Sequence, residues 1–219
     1  MENNIKGPDM SLESSYFAGD VNVTIKKLLE LKDHFSDGLY FYNLGTLYAK
    51  KGDFALARYH LEKSFREGFY SPRMFHNLKY VEEHLNLRQE RDHSFYEKLI
   101  FKSIEYPPIF FLLLPLVVAL LLFIAKKLFK ELSVILYFSI LSLAFIPLLF
   151  IFALNSYFNT GVALNGPAVY DAPSEIYPSR INLLNGEKVL IVRNKNGWSE
   201  IIYPSEFSGW VKSKDLGIL

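Results

Sequence analysis

The chain has 219 residues, of which 50% are hydrophobic, and a formal net charge of +1. This near balance leaves no basic field of the kind that binds nucleic acid. Since there is no cysteine, disulfides, thiolate metal sites and a cysteine nucleophile are excluded. The charge-poor stretches are concentrated in the middle of the chain, so we predict a multi-domain membrane protein with soluble parts at both ends.

Residues 1–88 carry a pattern that is typical of paired helices. The stretches AGDVNVTIKKLLEL and KGDFALARYHLEKS align with each other, and their separation is close to the ~34-residue period of tetratricopeptide repeats. We therefore predict an all-α tetratricopeptide-repeat solenoid. Its second unit is the best formed, its first is degenerate, and SPRMFHNLKYVEEHLN begins a capping helix in which Phe75 and Leu78 are expected to pack inward.

Small residues in the second unit predict a close helix crossing. We expect Gly45 and Ala57 at the point of closest approach, with Tyr48 and Leu61 filling the space beside them. Gly52 is expected to end the first helix, because glycine adopts a positive φ at little cost.

The first helix of each repeat should line a concave groove. The candidate partner-binding residues on that face are Leu39, Tyr42, Asn43, Thr46 and Lys50. A peptide-binding groove and an ordinary repeat surface are equally compatible with these residue types.

Two nearly charge-free runs occupy the middle of the chain, and about 20 apolar residues suffice to cross a bilayer as a helix. We predict transmembrane helices at 107–125 and 132–155, joined by a basic loop at 126–131. Residues 89–106 are predicted to be a helical linker or an amphipathic helix in the membrane interface. The alternative is a buried helical hairpin in a soluble protein.

Two spans place both soluble parts on the same side of the membrane. Lys126, Lys127 and Lys130 favour the cytoplasm for the loop, so we expect both soluble parts in the periplasm of a bacterium, anchored in the inner membrane. The first fifteen residues show no apolar stretch typical of a signal peptide. That observation argues against export and leaves the side of the N-terminal part open.

Residues 160–219 change to short alternating runs separated by turns. EKVLIVR and WSEIIY read as two strands joined by the hairpin turn NKNG, and SGWVKSKDL as a strand followed by a single turn. The predicted fold is a small all-β barrel.

The order of features in this barrel resembles bacterial SH3-type domains. The pattern runs Leu184, Gly186 and Val189, then Gly197-Trp198, then Gly209-Trp210-Val211. Family members bind peptides or cell-wall stem peptides, which would place the SH3-type groove at Tyr170, Tyr177, Trp198, Tyr203 and Trp210. In so small a barrel the two tryptophans are more often core than ligand platform, and we expect them in the core.

No pattern predicts catalysis. The five histidines have no metal-ligand spacing, and we expect each on a helix surface: His34, His60, His76, His84 and His93. Phosphate-binding glycine loops and nucleophile elbows are absent from the sequence. We therefore predict no enzyme, no cofactor and no metal site.

The whole order of modules resembles the BatE proteins of the bacterial aerotolerance (Bat) operon. Three stretches carry the resemblance: LYFYNLGTLYAKKGDFALARYHLEKSF, FHNLKYVEEHL and VALNGPAVYDAPS. It implies an inner-membrane protein that works with von Willebrand-type Bat partners. The sequence thus predicts a membrane-anchored scaffold that docks a partner through its repeats and a second ligand through its tail. The alternative is a cell-envelope sensor whose SH3-type domain binds wall peptide.

Overall fold

The N-terminal part is helical in the computed structural model, which describes residues 10–85, 87, 101–104, 111–128 and 133–219. The all-α character predicted for this part is confirmed. Its helices are α1 (Met10–Phe17), α2 (Val21–Glu30), α3 (Asp37–Lys51), α4 (Phe54–Arg66) and α5 (Pro72–His84).

The repeated Gly-Asp pair forms the turn inside each helical hairpin. Gly52 follows α3 with φ of 86°, and its N–H donates to the carbonyl of Ala49 at 3.0 Å. Asp53 then caps α4 by accepting the N–H of Leu56 at 3.3 Å. Gly19 has φ of 79° in the corresponding position before α2. The glycine adopts the left-handed backbone of the turn without the steric cost that a Cβ would add. The aspartate accepts a hydrogen bond from an N–H of the next helix that has no partner within that helix.

The close crossing of α3 and α4 is where the sequence predicts it. A Cβ on Gly45 would lie 2.6 Å from Cγ of Leu61, which excludes a larger residue without a shift. Ala57 and Leu61 are fully buried, and Tyr48 packs against the same cluster.

Helix α5 packs differently from its prediction. Its fully buried residues are Met74 and Val81, and Leu78 is partly buried against them. Phe75 is 48% exposed, with its ring 5.7 Å from that of Phe65. Leu78 therefore packs inward as expected, whereas the inward position expected for Phe75 is taken by Met74.

The C-terminal part is one antiparallel sheet. Its strands are β1 (Asn159–Ala163), β2 (Ala168–Tyr170), β3 (Ser179–Asn182), β4 (Lys188–Lys195), β5 (Trp198–Tyr203), β6 (Gly209–Lys212) and β7 (Leu216–Ile218). They lie side by side in the order β3-β2-β6-β5-β4-β1-β7. The predicted turn between β4 and β5 is confirmed, because Asn196 and Gly197 both have positive φ, as two-residue hairpin turns require.

The two tryptophans do not belong to the core of this sheet, and that expectation is wrong. Trp198 and Trp210 are only partly buried. Side chains alternate along a strand, so Ser199 and Val211, their neighbours, take the inward positions and both are fully buried. The core consists of Ala163, Val169, Leu183, Val189, Ile191, Ile201, Phe207, Val211 and Leu216.

The apolar segment contains helices α6 (Leu113–Leu128) and α7 (Val134–Tyr157). Among the described residues, α7 alone is long and apolar enough to cross a membrane. The described part of α6 has 16 residues, so one of the two predicted spans meets this criterion.

Several predicted boundaries fall on residues outside the described ones, including 107–110 at the start of the first span and Lys130 in the basic loop. Of the predicted linker at 89–106, residues 101–104 are described and helical. Lys126 and Lys127, predicted in the loop, lie in the last turn of α6, where cations are favourable because they face free carbonyls.

The structure divides into two compact units. The helices α1 to α5 and the sheet residues from Gly161 to Leu219 pack together in one unit, and residues 92–160 make up the other. The sequence predicts the N- and C-terminal parts as separate modules, and nothing in it indicates that they share a unit.

Candidate functional site

A cavity of about 430 Å³ lies between α1, α2 and α3. We call it the helical groove. Three of the five predicted partner-binding residues line it, namely Tyr42, Asn43 and Thr46. The ammonium of Lys50 lies 4.6 Å from the ring centre of Tyr16, another lining residue. Leu39 lies one turn earlier on α3, outside the lining.

The groove combines apolar walls with polar groups that are held in place. Tyr16, Phe17, Leu28, Phe35 and Leu47 supply the apolar walls. Such a surface suits an apolar peptide segment, because the removal of aromatic and aliphatic area from water drives its binding.

Two of the polar side chains are oriented by neighbouring elements. The hydroxyl of Thr46 donates to the carbonyl of Tyr42 at 2.9 Å and accepts from the amide of Asn77 on α5 at 3.1 Å. The ring of Tyr42 stacks on Phe69 with centres 5.0 Å apart. Among the described residues the side-chain amide of Asn43 has no hydrogen-bond partner, so it is available to a ligand.

A second surface lies on the outer face of the sheet, and we call it the aromatic face. Tyr170 contacts Trp198 edge to face with ring centres 5.3 Å apart, and it lies opposite Trp210 in the pairing of β2 with β6. The guanidinium of Arg193 lies 5.9 Å from the Trp210 ring centre, and its Nε is 2.8 Å from a carboxylate oxygen of Glu200.

The other two predicted groove residues of the β module lie elsewhere. Tyr203 is buried at the end of β5, and Tyr177 lies, half exposed, in the segment between β2 and β3. The structure thus brings together three of the five aromatic residues, and these are the ones on adjacent strands with the same side-chain direction.

A buried junction joins the helices to the sheet, and sequence reasoning missed it. The Arg58 guanidinium on α4 donates to the carbonyl of Gly186 at 2.7 Å and to Glu62 at 2.8 Å. It also donates to Glu82 on α5 at 3.2 Å. The other Glu62 oxygen is 2.7 Å from the ammonium of Lys188 on β4. The positive charges of Arg58 and Lys188 are therefore balanced by the negative charges of the two carboxylates.

The junction is closely packed as well as charged. A Cβ on Gly186 would lie 2.5 Å from Cδ2 of Leu85, and one on Gly217 would lie 2.5 Å from Cδ2 of Tyr59. Both positions therefore require glycine if the sheet is to approach α4 and the end of α5 this closely. Gly186 also has φ of 80°.

Glu62 is ionised at the centre of the junction. Burial by itself would raise the pKa of this carboxyl, but Lys188 and Arg58 attract its charge and donate hydrogen bonds to it, and together they hold the pKa below its usual value. The side chains of Arg58, Glu62 and Lys188 are all at most 9% exposed.

A single sequence offers little signal for this junction. Arg58 and Glu62 are four residues apart on a helix, the spacing of an ordinary exposed ion pair. Their partners Gly186 and Lys188 lie more than a hundred residues further along the chain, where a turn glycine and a strand lysine carry no mark of the contact.

His60 is a packing residue, which corrects its expected place on a helix surface. Its ring stacks with Tyr48 and Phe41 at centre distances of 5.2 and 5.9 Å. Burial, with a smaller contribution from the charge of Lys63, lowers the pKa of His60 to about 4, so the imidazole is neutral at pH 7.

The remaining histidines give no metal site in the part of the chain that the structure describes. His34, His76 and His84 are exposed, and His93 lies outside the described residues. No group of three His, Asp or Glu side chains within the described ranges could hold a metal ion.

No protein-family model, no curated protein and no solved structure matches this chain.

We predict that Glu62→Gln destabilises the unit formed by helices and sheet by roughly 3–5 kcal/mol, since the change leaves two buried cations without their shared anion. Hydrogen exchange of the full chain in detergent micelles measures this loss. Protection should fall in α4 and also in β4, although the substitution is in the helical part.

Glu83→Gln is the matched control. Glu83 pairs with Lys79 at the same i,i+4 spacing, but the two side chains are 62% and 77% exposed, and such pairs contribute less than about 1 kcal/mol. Unchanged protection of β4 in Glu62→Gln would show that the network does not hold the sheet to the helices.

Proposed function

We propose that this protein is a membrane-anchored scaffold that docks a partner protein in the helical groove. The observation that carries the proposal is the separation of two surfaces. The junction occupies α4 and the end of α5, whereas the groove is lined from α1, α2 and α3. The sheet therefore holds the helices in place and leaves the groove accessible.

The partner is a protein with an apolar, extended or helical segment. Helical hairpins joined by Gly-Asp turns, with a small-residue crossing between α3 and α4, support a module of the tetratricopeptide type. With the resemblance to BatE proteins, this favours von Willebrand-type Bat proteins as the partners.

Anchoring in the lipid bilayer is supported by the surface of α6 and α7. Only 6% of the most apolar stretch of α7 is buried, and large side chains such as Leu116 and Ile135 are well exposed. A soluble protein that buried such a hairpin in its core would cover these side chains. Exposed apolar area of this extent marks a surface that another apolar phase covers.

The buried junction supports an even number of membrane crossings. Arg58 and Gly186 bond directly, so the chain before and after the apolar segment lies in one compartment. If α7 crosses the bilayer, a second crossing is required, and the apolar run that contains α6 supplies it. With Lys126 and Lys127 at the cytoplasmic turn, the soluble unit lies in the periplasm of a bacterium, attached to the inner membrane.

We predict the sidedness of three single-cysteine variants, since the chain has no other cysteine. In intact cells, a membrane-impermeant maleimide should label Lys79→Cys and Lys214→Cys, whose side chains are exposed. Lys127→Cys should react only after the membrane is permeabilised.

Each unexpected result of this labelling experiment contradicts a different part of the proposal. Labelling of Lys79→Cys and Lys214→Cys from opposite sides would refute the junction and the even number of crossings. Labelling of Lys127→Cys alone in intact cells would reverse the orientation. Recovery of the unmodified chain in the soluble fraction would refute anchoring.

The docking role predicts that Asn43→Arg blocks the groove. A charged side chain of this size would fill the cavity and place a cation against an apolar ligand. Quantitative mass spectrometry of proteins co-purifying from detergent-solubilised membranes should show a loss of at least about tenfold, or 1.4 kcal/mol, for a von Willebrand-type partner.

Asn22→Arg makes the same substitution on the exposed side of α2, outside the groove, and should keep that partner. Deletion of the whole helical part would be a poor test, because it would also expose the sheet side of the junction. Equal partner recovery from both variants would contradict docking in the groove.

The aromatic face favours a second candidate function. We infer a cell-envelope sensor whose SH3-type β module binds wall peptide on Tyr170, Trp198 and Trp210. These rings are on the outer face rather than in the core, and Arg193 lies over one of them. Partly exposed aromatic side chains beside an arginine are typical of binding hot spots.

The sensor reading predicts that Trp210→Ala weakens retention of the full chain on purified insoluble cell-wall fragments by more than about tenfold, as expected for loss of a hot-spot residue. Ile218→Ala, which removes an exposed apolar side chain from β7 at the far edge of the sheet, serves as the control. Absence of retention for the unmodified chain would eliminate this function.

A further inference from the structure

We propose that the turn end of α6 and α7 binds the phosphate headgroup of an acidic phospholipid. The proposal rests on the membrane anchoring proposed above, and it adds a defined lipid site to it. All residues that form the site belong to the unit made of residues 92–160.

The site is a cavity of about 390 Å³ between the end of α6 and the start of α7. We call it the turn cavity. It is lined by Phe123, Lys126, Lys127, Val134, Tyr137 and Phe138. Lys130 and Glu131 lie outside the described residues.

The charge of the turn cavity suits an anion. Two lysines and no carboxylate line it among the described residues, and the ammonium of Lys126 lies 5.8 Å from the ring centre of Tyr137. That contact holds one cation over the ring of Tyr137, whose hydroxyl can donate a hydrogen bond to a phosphate oxygen.

The start of α7 adds backbone donors to the same end of the cavity. Ser133 precedes α7, and its side chain makes no capping hydrogen bond to the helix. The first N–H groups of a helix lack acceptors within it, and they carry partial positive charge. Val134, which lines the cavity, is the first residue of α7, so these donors and the two lysines lie at one place.

The apolar half of the lining favours a lipid over a free phosphate ion. Phe123, Val134 and Phe138 are each about three-fifths exposed and continue into the apolar surfaces of α6 and α7. An acyl chain can lie on these side chains while its headgroup meets the lysines. Lysine and tyrosine at the end of a membrane helix are at the depth of the headgroups, and basic pockets between membrane helices bind acidic lipid headgroups.

The two lysines have a simpler alternative role, which is to set the orientation of the hairpin through their charge alone. That role requires no cavity and no preference for one lipid. A binding site predicts that the purified protein in detergent micelles retains acidic lipid selectively. An orientation role predicts no such selectivity, because a micelle has no two sides.

The test uses the full chain in detergent micelles with equal amounts of phosphatidylglycerol and phosphatidylcholine, and native mass spectrometry counts the lipids bound. The unmodified chain should retain phosphatidylglycerol in preference. Lys126→Gln/Lys127→Gln should lower that retention at least about tenfold, since two charge-assisted contacts are lost. Lys195→Gln/Lys214→Gln removes the same charge from two exposed lysines of the β module and should bind as the unmodified chain does.

Inorganic phosphate serves as the competing probe. Little displacement of lipid by millimolar phosphate is expected, because the acyl chain contributes to binding. The proposal is overturned if Lys126→Gln/Lys127→Gln retains phosphatidylglycerol fully, if the control variant loses it equally, or if phosphate displaces it completely. Failure of membrane anchoring is seen separately, as recovery of the unmodified chain in the soluble fraction of cells.

Discussion

The rest of the structure depends on one buried ion network, in which Glu62 lies between Arg58 and Lys188. Charges taken out of water are costly unless every one is paired and hydrogen-bonded, and here the guanidinium also satisfies the carbonyl of Gly186 and reaches Glu82. Such a network tolerates few alternative arrangements. It therefore specifies how helices and sheet meet, while the glycines at 186 and 217 allow them to approach closely.

This junction determines how the apolar segment is connected to the rest of the fold. The chain leaves a folded unit after α5, passes through α6 and α7, and returns to complete the same unit with the sheet. The hairpin is an insertion into one composite fold rather than a connection between two independent modules. Both ends of the insertion belong to the same folded unit, so they lie in one compartment.

The junction also divides the surfaces that are left for partners. It covers the outer side of α4, so the helical groove on α1 to α3 and the aromatic face on β2, β5 and β6 remain open. In the proposed scaffold, a partner segment in the groove and a wall peptide on the sheet would be bound to one folded unit. Two weak contacts arranged in this way reinforce each other through effective concentration, which suits a scaffold more than a single-ligand receptor.

Local chemistry in the sequence determined the elements and their turns: the Gly-Asp turns, the crossing at Gly45, the NKNG hairpin and the apolar length of α7 all follow from interactions within a few residues or one repeat. Tyr42, Asn43 and Thr46 were predictable as groove residues because helical spacing puts them on one face. Only the tertiary structure decided that Trp198 and Trp210 face outward, that His60 is packed among rings, and that Arg58 bonds to Gly186. Strand register and long-range pairing set those outcomes. The identity of a charged residue does not reveal whether its partner is water or a carbonyl more than a hundred residues away in the chain.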